Sequence, residues 1–289
     1  MKKIIAAAVA AAFVAPVYAA DVTVSGDVEY FYKDTNAGEA FDSGDQDIKI
    51  TGSETLSNGW SVSAALEMDG NEDGLVSDSV FTIDTGMVSI SIGDAVDPAH
   101  QTYDEASDVS EQGGTGGEGS TNTDPLHTLA VTLSPMENLL VTASRSTTND
   151  DADTTTLSIT AYAAQYSMSG FTLGYGVAEE QNQDTNVSTT SISYGTGPFY
   201  IGYESISNEA NVISDDITNL GVKYNYGMGN LFYEAGEAKD ASAGTSTETT
   251  AYGVSYKIGN LNSYILQNSI ETSATATDNQ TIIGVEYKF

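Results

Sequence analysis

An alternation of apolar and polar residues with a period of two recurs in sixteen segments, from residues 22–33 to residues 279–289. It restricts the chain to strands whose two faces meet different surroundings. In the first segment Val22, Val24, Val28, Tyr30 and Tyr32 oppose Thr23, Ser25, Asp27, Glu29 and Lys33. In the third, 59–69, Trp60, Val62, Ala64, Leu66 and Met68 oppose Ser61, Ser63, Glu67 and Asp69. In the twelfth, 215–227, Leu220, Val222, Tyr224 and Tyr226 oppose Gly221, Lys223 and Asn225. The segments at 154–168 and 260–271 alternate less cleanly, and the sequence offers no reason for it. The connectors alternate as well. Short ones such as Leu56-Ser57-Asn58-Gly59, Ser169-Gly170 and Gly259-Asn260 take turns with longer acidic ones such as Asn149 to Asp153 and Asn208 to Asp216.

With 28 Gly, 17 Tyr, only 5 Pro and no mature apolar run of membrane-helix length, the composition fits either a strongly acidic soluble β protein or a membrane β-barrel. Sorting short turns to one end and long loops to the other is the plan of a membrane barrel, and a soluble sandwich has no reason for it. One face suits lipid and the other water, and lipid tolerates no open sheet edge, so the sheet has to close. Sixteen strands close around a lumen wide enough for water. The expected fold is therefore all-β, a transmembrane antiparallel β-barrel of about sixteen strands.

Residues 1–19 read as a cleaved signal peptide: Lys2 and Lys3, an apolar stretch from Ile4 to Val14, then the small-residue spacing of Val17-Tyr18-Ala19. The barrel domain is then 20–289. Without the leader, seven of the nine basic residues remain against 41 acidic ones, a net charge of −34. Such a chain adds like charge to a polyanion and displaces no counterions, so nucleic-acid binding is disfavoured. Cysteine is absent, so packing and hydrogen bonds hold the fold. His100 and His127 are the only histidines, too few N or S ligands for zinc, and no nucleophile motif accompanies them. GGTGGEG (113–119) is followed by no Lys, unlike a phosphate-binding loop. No enzyme and no cofactor are expected.

One connector, 95–125, is far longer than the rest, and loops of this length are functional or disordered. Composition leaves two readings open, a disordered external loop and a loop folded inward to narrow the channel. Three stretches bear on the choice. ITGSETLSNGWSVSAALEMD (50–69) resembles the second hairpin of the trimeric general-diffusion porins of Gram-negative outer membranes. VSISIGD (88–94) is similar to the strand before that family's constriction loop, and YDEASDVSEQGG (103–114) to elements within the loop. With the leader, the terminal Phe and the sixteen segments, the resemblance spans essentially the whole mature chain.

The resemblance implies an outer-membrane homotrimer in which each barrel has its own pore for small solutes and ions. It also implies that 95–125 lies in the lumen, that loop two grips a neighbouring subunit, and that the terminal strand TIIGVEYKF, with Tyr287 and Phe289, is read by the outer-membrane barrel assembly machinery. Glu111 takes the place of the family's loop glutamate. Where the family usually carries wall arginines, this chain has Asp47 and Asp94, and Arg145 is its only arginine. Asp47, Glu67 and Asp94 on the wall, partly offset by Lys49, then face Asp97, Asp104, Glu105, Asp108 and Glu111 on the loop. Acids on both sides predict a preference for cations. DGNEDGLVSDSV (69–80) imitates a calcium loop with Asp69, Asn71 and Asp73, but Val80 stands where an EF-hand needs Glu, leaving only a looser oxygen-ligated Ca²⁺ site open. Two rivals remain: a secreted acidic, Ca²⁺-dependent adhesion or surface-layer β-sandwich, and a smaller barrel serving as an anchor.

Overall fold

A computed structural model describes residues 21–69, 78–93, 106–107, 109, 126–148, 158–180, 185–210, 213–240, 244–273 and 277–289. The leader, most of the 95–125 connector, and Asn71 and Asp73 lie outside them. The first eight strands are β1 (Asp21–Thr35), β2 (Gly38–Thr55), β3 (Ser61–Asp69), β4 (Asp78–Asp84), β5 (Val88–Gly93), β6 (Leu126–Met136), β7 (Leu139–Thr148) and β8 (Ser158–Met168). The second eight are β9 (Phe171–Glu180), β10 (Thr185–Thr196), β11 (Phe199–Ala210), β12 (Ile213–Asn225), β13 (Asn230–Asp240), β14 (Thr245–Ile258), β15 (Leu261–Thr272) and β16 (Asp278–Lys288). Each pairs antiparallel with its neighbours in sequence, and β16 pairs with β1, so one sheet closes on itself. Among the described residues no second sheet packs against it, as the rival sandwich requires.

Local chemistry sets the short-turn end. At the β8–β9 hairpin Met168 pairs with Phe171 across Ser169 and Gly170, both at positive φ (52° and 87°). Two successive left-handed residues make the turn whose twist matches that of the flanking strands.

The two faces separate as the alternation requires. Val22, Val24, Tyr30, Ile265, Ile283 and Val285 stand exposed on the outer face, where lipid replaces a protein core. Thr128, Thr142, Ser144, Ser146, Thr189 and Ser191 are buried on the inner face.

The structure also accounts for what the alternation left unread. Strand β2 begins at Gly38, eight residues before the expected 46–54 segment, because a bulge interrupts its pattern. Val28 pairs with Gln46 and Tyr30 with Ser43, so Glu29 faces two residues, Gly44 and Asp45. The weak alternation of β8 and β15 has a packing cause. Ile159, Ala161 and Ala163 of β8 join Ala178, Val187 and Ile206 in an apolar cluster on the inner wall. Tyr264 and Leu266 of β15 join Phe232, Ala251 and Ile282 in a second one.

The closing seam carries its own lock. Gly26 and Phe289 exchange backbone hydrogen bonds of 3.1 and 2.9 Å, so the chain's last residue is held in the sheet. The Tyr264 ring on β15 crosses Gly284 on β16, and its hydroxyl donates to Glu29 Oε1 on β1 at 2.7 Å. A Cβ at 284 would run into that ring. Gly284→Val is therefore expected to abolish the compact, heat-modifiable band of the folded barrel on a detergent gel. Tyr264→Phe keeps the ring but removes one donor from a carboxylate that is 5% exposed, and should lower stability by about 1–3 kcal/mol in urea unfolding. A Gly284→Val barrel that folds and migrates like wild type would show that the seam needs no such crossing.

Candidate functional site

The lumen is the site, and strand parity decides which side chains reach it. Among the sequence-predicted residues, Asp47 of β2 and Glu67 of β3 share the inner face with Lys49. Lys49 Nζ bridges Glu67 at 2.9 Å, with the two side chains 50% and 30% exposed. At such exposure the pair contributes at most about 1 kcal/mol, and its electrostatic effect is to cancel Glu67. The partner of Asp47 on β1 is Asp27 and its partner on β3 is Asp69.

Three aspartates thus occupy one cross-strand row, with Lys288 of β16 opposite Asp27 at its end. Lys288 Nζ also bonds Glu286 of its own strand at 2.7 Å. Like charges at directly opposite positions disfavour the sheet, and Asp27 and Asp47 face one another across β1 and β2. Asp27 was visible on the polar face of the first segment, but only the β1–β2 register brings it beside Asp47. Asp94, Asp97, Asp104, Glu105, Asp108 and Glu111 all lie outside the described residues, as do Asn71 and Asp73 of the calcium candidate. Tyr287 and Phe289 lie on the outer face at the short-turn end, their rings 6.5 Å apart.

Of the long connector, Ala106, Ser107 and Val109 are described, and all three rest against the inner wall. The Tyr200 hydroxyl donates to Ala106 O at 2.9 Å, and the Val109 amide donates to Glu234 Oε1 at 2.6 Å. Gly202 of β11 and Gly221 of β12 are cross-strand partners, and a Cβ on either would collide with the carbonyl oxygen of Ala106 or Ser107 respectively. Paired glycines on one inner face make a slot that admits another backbone. Val109 then joins Phe232, Ala251, Tyr264, Leu266 and Ile282 in one apolar cluster. Beside this contact the Asn219 amide donates to Glu204 Oε1 at 2.8 Å, and the Lys223 ammonium sits 5.6 Å from the Tyr200 ring centroid. Sequence reasoning missed Gly202, Gly221, Tyr200 and Glu234. The usable signal was a glycine on the polar face of two successive strands, but their pairing needed the register.

A closed sixteen-stranded barrel, apolar outside and polar within, defines a membrane channel. The chain belongs to the Gram-negative porin family, whose profile matches residues 6–289. It is accordingly an outer-membrane channel protein of the Gram-negative type. No curated protein matches the sequence. Among solved structures it is similar to an anion-selective porin from Comamonas acidovorans at 13% identity and a TM-score of 0.80, covering 94% of this chain and all of that one. It is also similar to a loop L8 deletion mutant of OmpT, an outer-membrane protein of Vibrio cholerae, at 17% identity and 0.77, with 94% and 100% covered. In-vitro-folded OmpT of Vibrio cholerae in its trimer form gives 15% identity and 0.77, with the same coverage. At these identities the likeness carries the fold and no more.

Proposed function

We propose that the protein is a passive, water-filled pore that prefers cations and passes small hydrophilic solutes down their gradients. The observation that carries this reading is the Asp27–Asp47 pair on the lumen wall, continued in register by Asp69. The same barrel in Comamonas acidovorans is anion-selective, so the fold leaves the sign open and the lining charges have to set it. Residues 95–125 act as the constriction loop, a reading supported by the contacts of Ala106, Ser107 and Val109 with β11–β13. Residues 1–19 are the leader removed on export. Liposomes containing the protein should swell in neutral sugars at a rate that falls steeply with sugar mass. Absence of swelling with folded protein would refute passive diffusion.

The pore works as a homotrimer. The outer faces of β8–β14 carry girdle aromatics, among them Tyr162, Phe171, Tyr175, Phe199, Tyr203 and Tyr252, as lipid contact requires. Among the described residues the outer faces of β5, β6 and β7 carry none; Ile90, Ile92, Leu129, Leu133 and Val141 stand there with the exposed Arg145, the cross-strand partner of Leu129. An arc without a girdle suits protein contact better than a lipid interface. The trimer form of OmpT supports the same reading. The mass in mild detergent should be three times that of one chain, and a monomer would overturn the proposal. Tyr287 and Phe289 serve as the signal to the assembly machinery, so deleting Phe289 should lower the amount of folded barrel in the membrane. An unchanged amount would end that role.

A further inference from the structure

At the short-turn mouth a recess of about 370 Å³ opens between the β12–β13 turn and β16. Asn230, Lys257, Asn260, Asn262, Glu286 and Lys288 line it. This is within the size range of pockets that hold small ligands. In a chain so acidic, its lining is unusual in carrying more positive than negative charge. Lys288 Nζ bonds Glu286 at 2.7 Å, and Lys257 is the second cation of the lining. Among the described residues nothing bonds that ammonium, or the side-chain amides of Asn230 and Asn260. Ser255 Oγ, also in the lining, already accepts from the Asn230 backbone at 3.2 Å, so the rim that carries these free groups is held in place.

We propose that this recess binds a small monocarboxylate bearing several hydroxyls, a sugar acid in chemical class. The ammonium of Lys257 takes the carboxylate, and the free amides of Asn230 and Asn260, each both donor and acceptor, take hydroxyls. A dianion such as phosphate is disfavoured because Glu286 sits in the same wall and only one cation is uncommitted. The recess lies at the short-turn end, where Lys288 of its lining stands opposite Asp27, so such a solute reaches it from that side. The inference deepens the channel reading and assigns that channel a solute-binding station.

The test uses the purified, detergent-solubilised barrel, so that binding is read without conduction. Saturation-transfer NMR with gluconate as probe should give a signal that saturates at millimolar concentration, while sorbitol, with the same hydroxyls and no carboxylate, gives little. Lys257→Gln should weaken gluconate binding about tenfold or more, and Lys257→Arg, which keeps the charge, should restore most of it. Lys257 is exposed, so both variants are expected to keep the heat-modifiable band of the folded barrel. No gluconate signal, an equal signal from sorbitol, or binding unchanged in Lys257→Gln each overturns the proposal. Binding without any conductance in planar bilayers would instead sink the channel reading and leave the site standing.

Discussion

Neutralising the aspartate pair on the wall, with Asp27→Asn and Asp47→Asn together, is expected to remove most of the cation preference from an otherwise open pore. The two residues are direct cross-strand partners on the lumen face. An ion within about 5 Å of one such charge in water gains roughly 1 kcal/mol, and two charges bring the permeability ratio to about tenfold. At ~0.1 M salt the Debye length of about 10 Å leaves this field nearly intact across a narrow lumen, whereas at ~1 M it shrinks to ~3 Å. The zero-current potential across a KCl gradient should therefore favour K⁺ in wild type, weaken as salt rises, and fall toward zero in the double mutant. Asp27 and Asp47 are only partly buried, so the substitutions should leave folding intact. If wild type favours Cl⁻, the proposed selectivity is wrong. If the double mutant keeps its preference, the source moves to the acids of the 95–125 connector.

The second large effect concerns the slot that receives that connector. Gly221→Val puts a branched side chain where Ser107 O lies, and Gly202→Val does the same to Ala106 O. Neither glycine's environment lets the wall yield, because the obstructing atoms are backbone. The obstructing atoms belong to Ala106 and Ser107 and not to the barrel, so either substitution should push these residues off the wall and raise both single-channel conductance and the sugar exclusion limit. Glu234→Gln provides a milder control. It keeps the shape of a side chain that is 1% exposed while weakening the bond from the Val109 amide, at a cost of about 1–3 kcal/mol in stability. If the valine variants fold and conduct like wild type, the contact does not set the width of the pore.

The parts of this molecule that follow a local rule were legible in the chain, and the parts that depend on register were not. Val28, Tyr30 and Tyr32 on β1, and Ile283, Val285 and Tyr287 on β16, announce an outer face through period two alone, and the same rule carries the strand to the chain's end. A bulge breaks that rule in β2, because Gly44 and Asp45 share one partner, and the strand's first half therefore read as a loop. In β8 and β15 the rule fails for a different reason. Their inner residues pack rather than meet water, and a packed lumen wall looks from sequence like a poor strand. The site divides in the same way. Asp47 could be singled out on its own strand, but the row it forms with Asp27 and Asp69 exists only once three strands are aligned. The Gly202–Gly221 slot is a contact between segments about a hundred residues apart in the chain, which no local pattern encodes.

A water-filled pore through the barrel can be put to the test by recording current from the purified, folded protein in a planar bilayer. Insertion should produce discrete steps that stay open at low voltage, with a conductance that rises nearly in proportion to KCl concentration, because ions cross in bulk-like water. A protein that inserts and keeps its heat-modifiable band, yet carries no current at any salt concentration, is an anchor and not a channel.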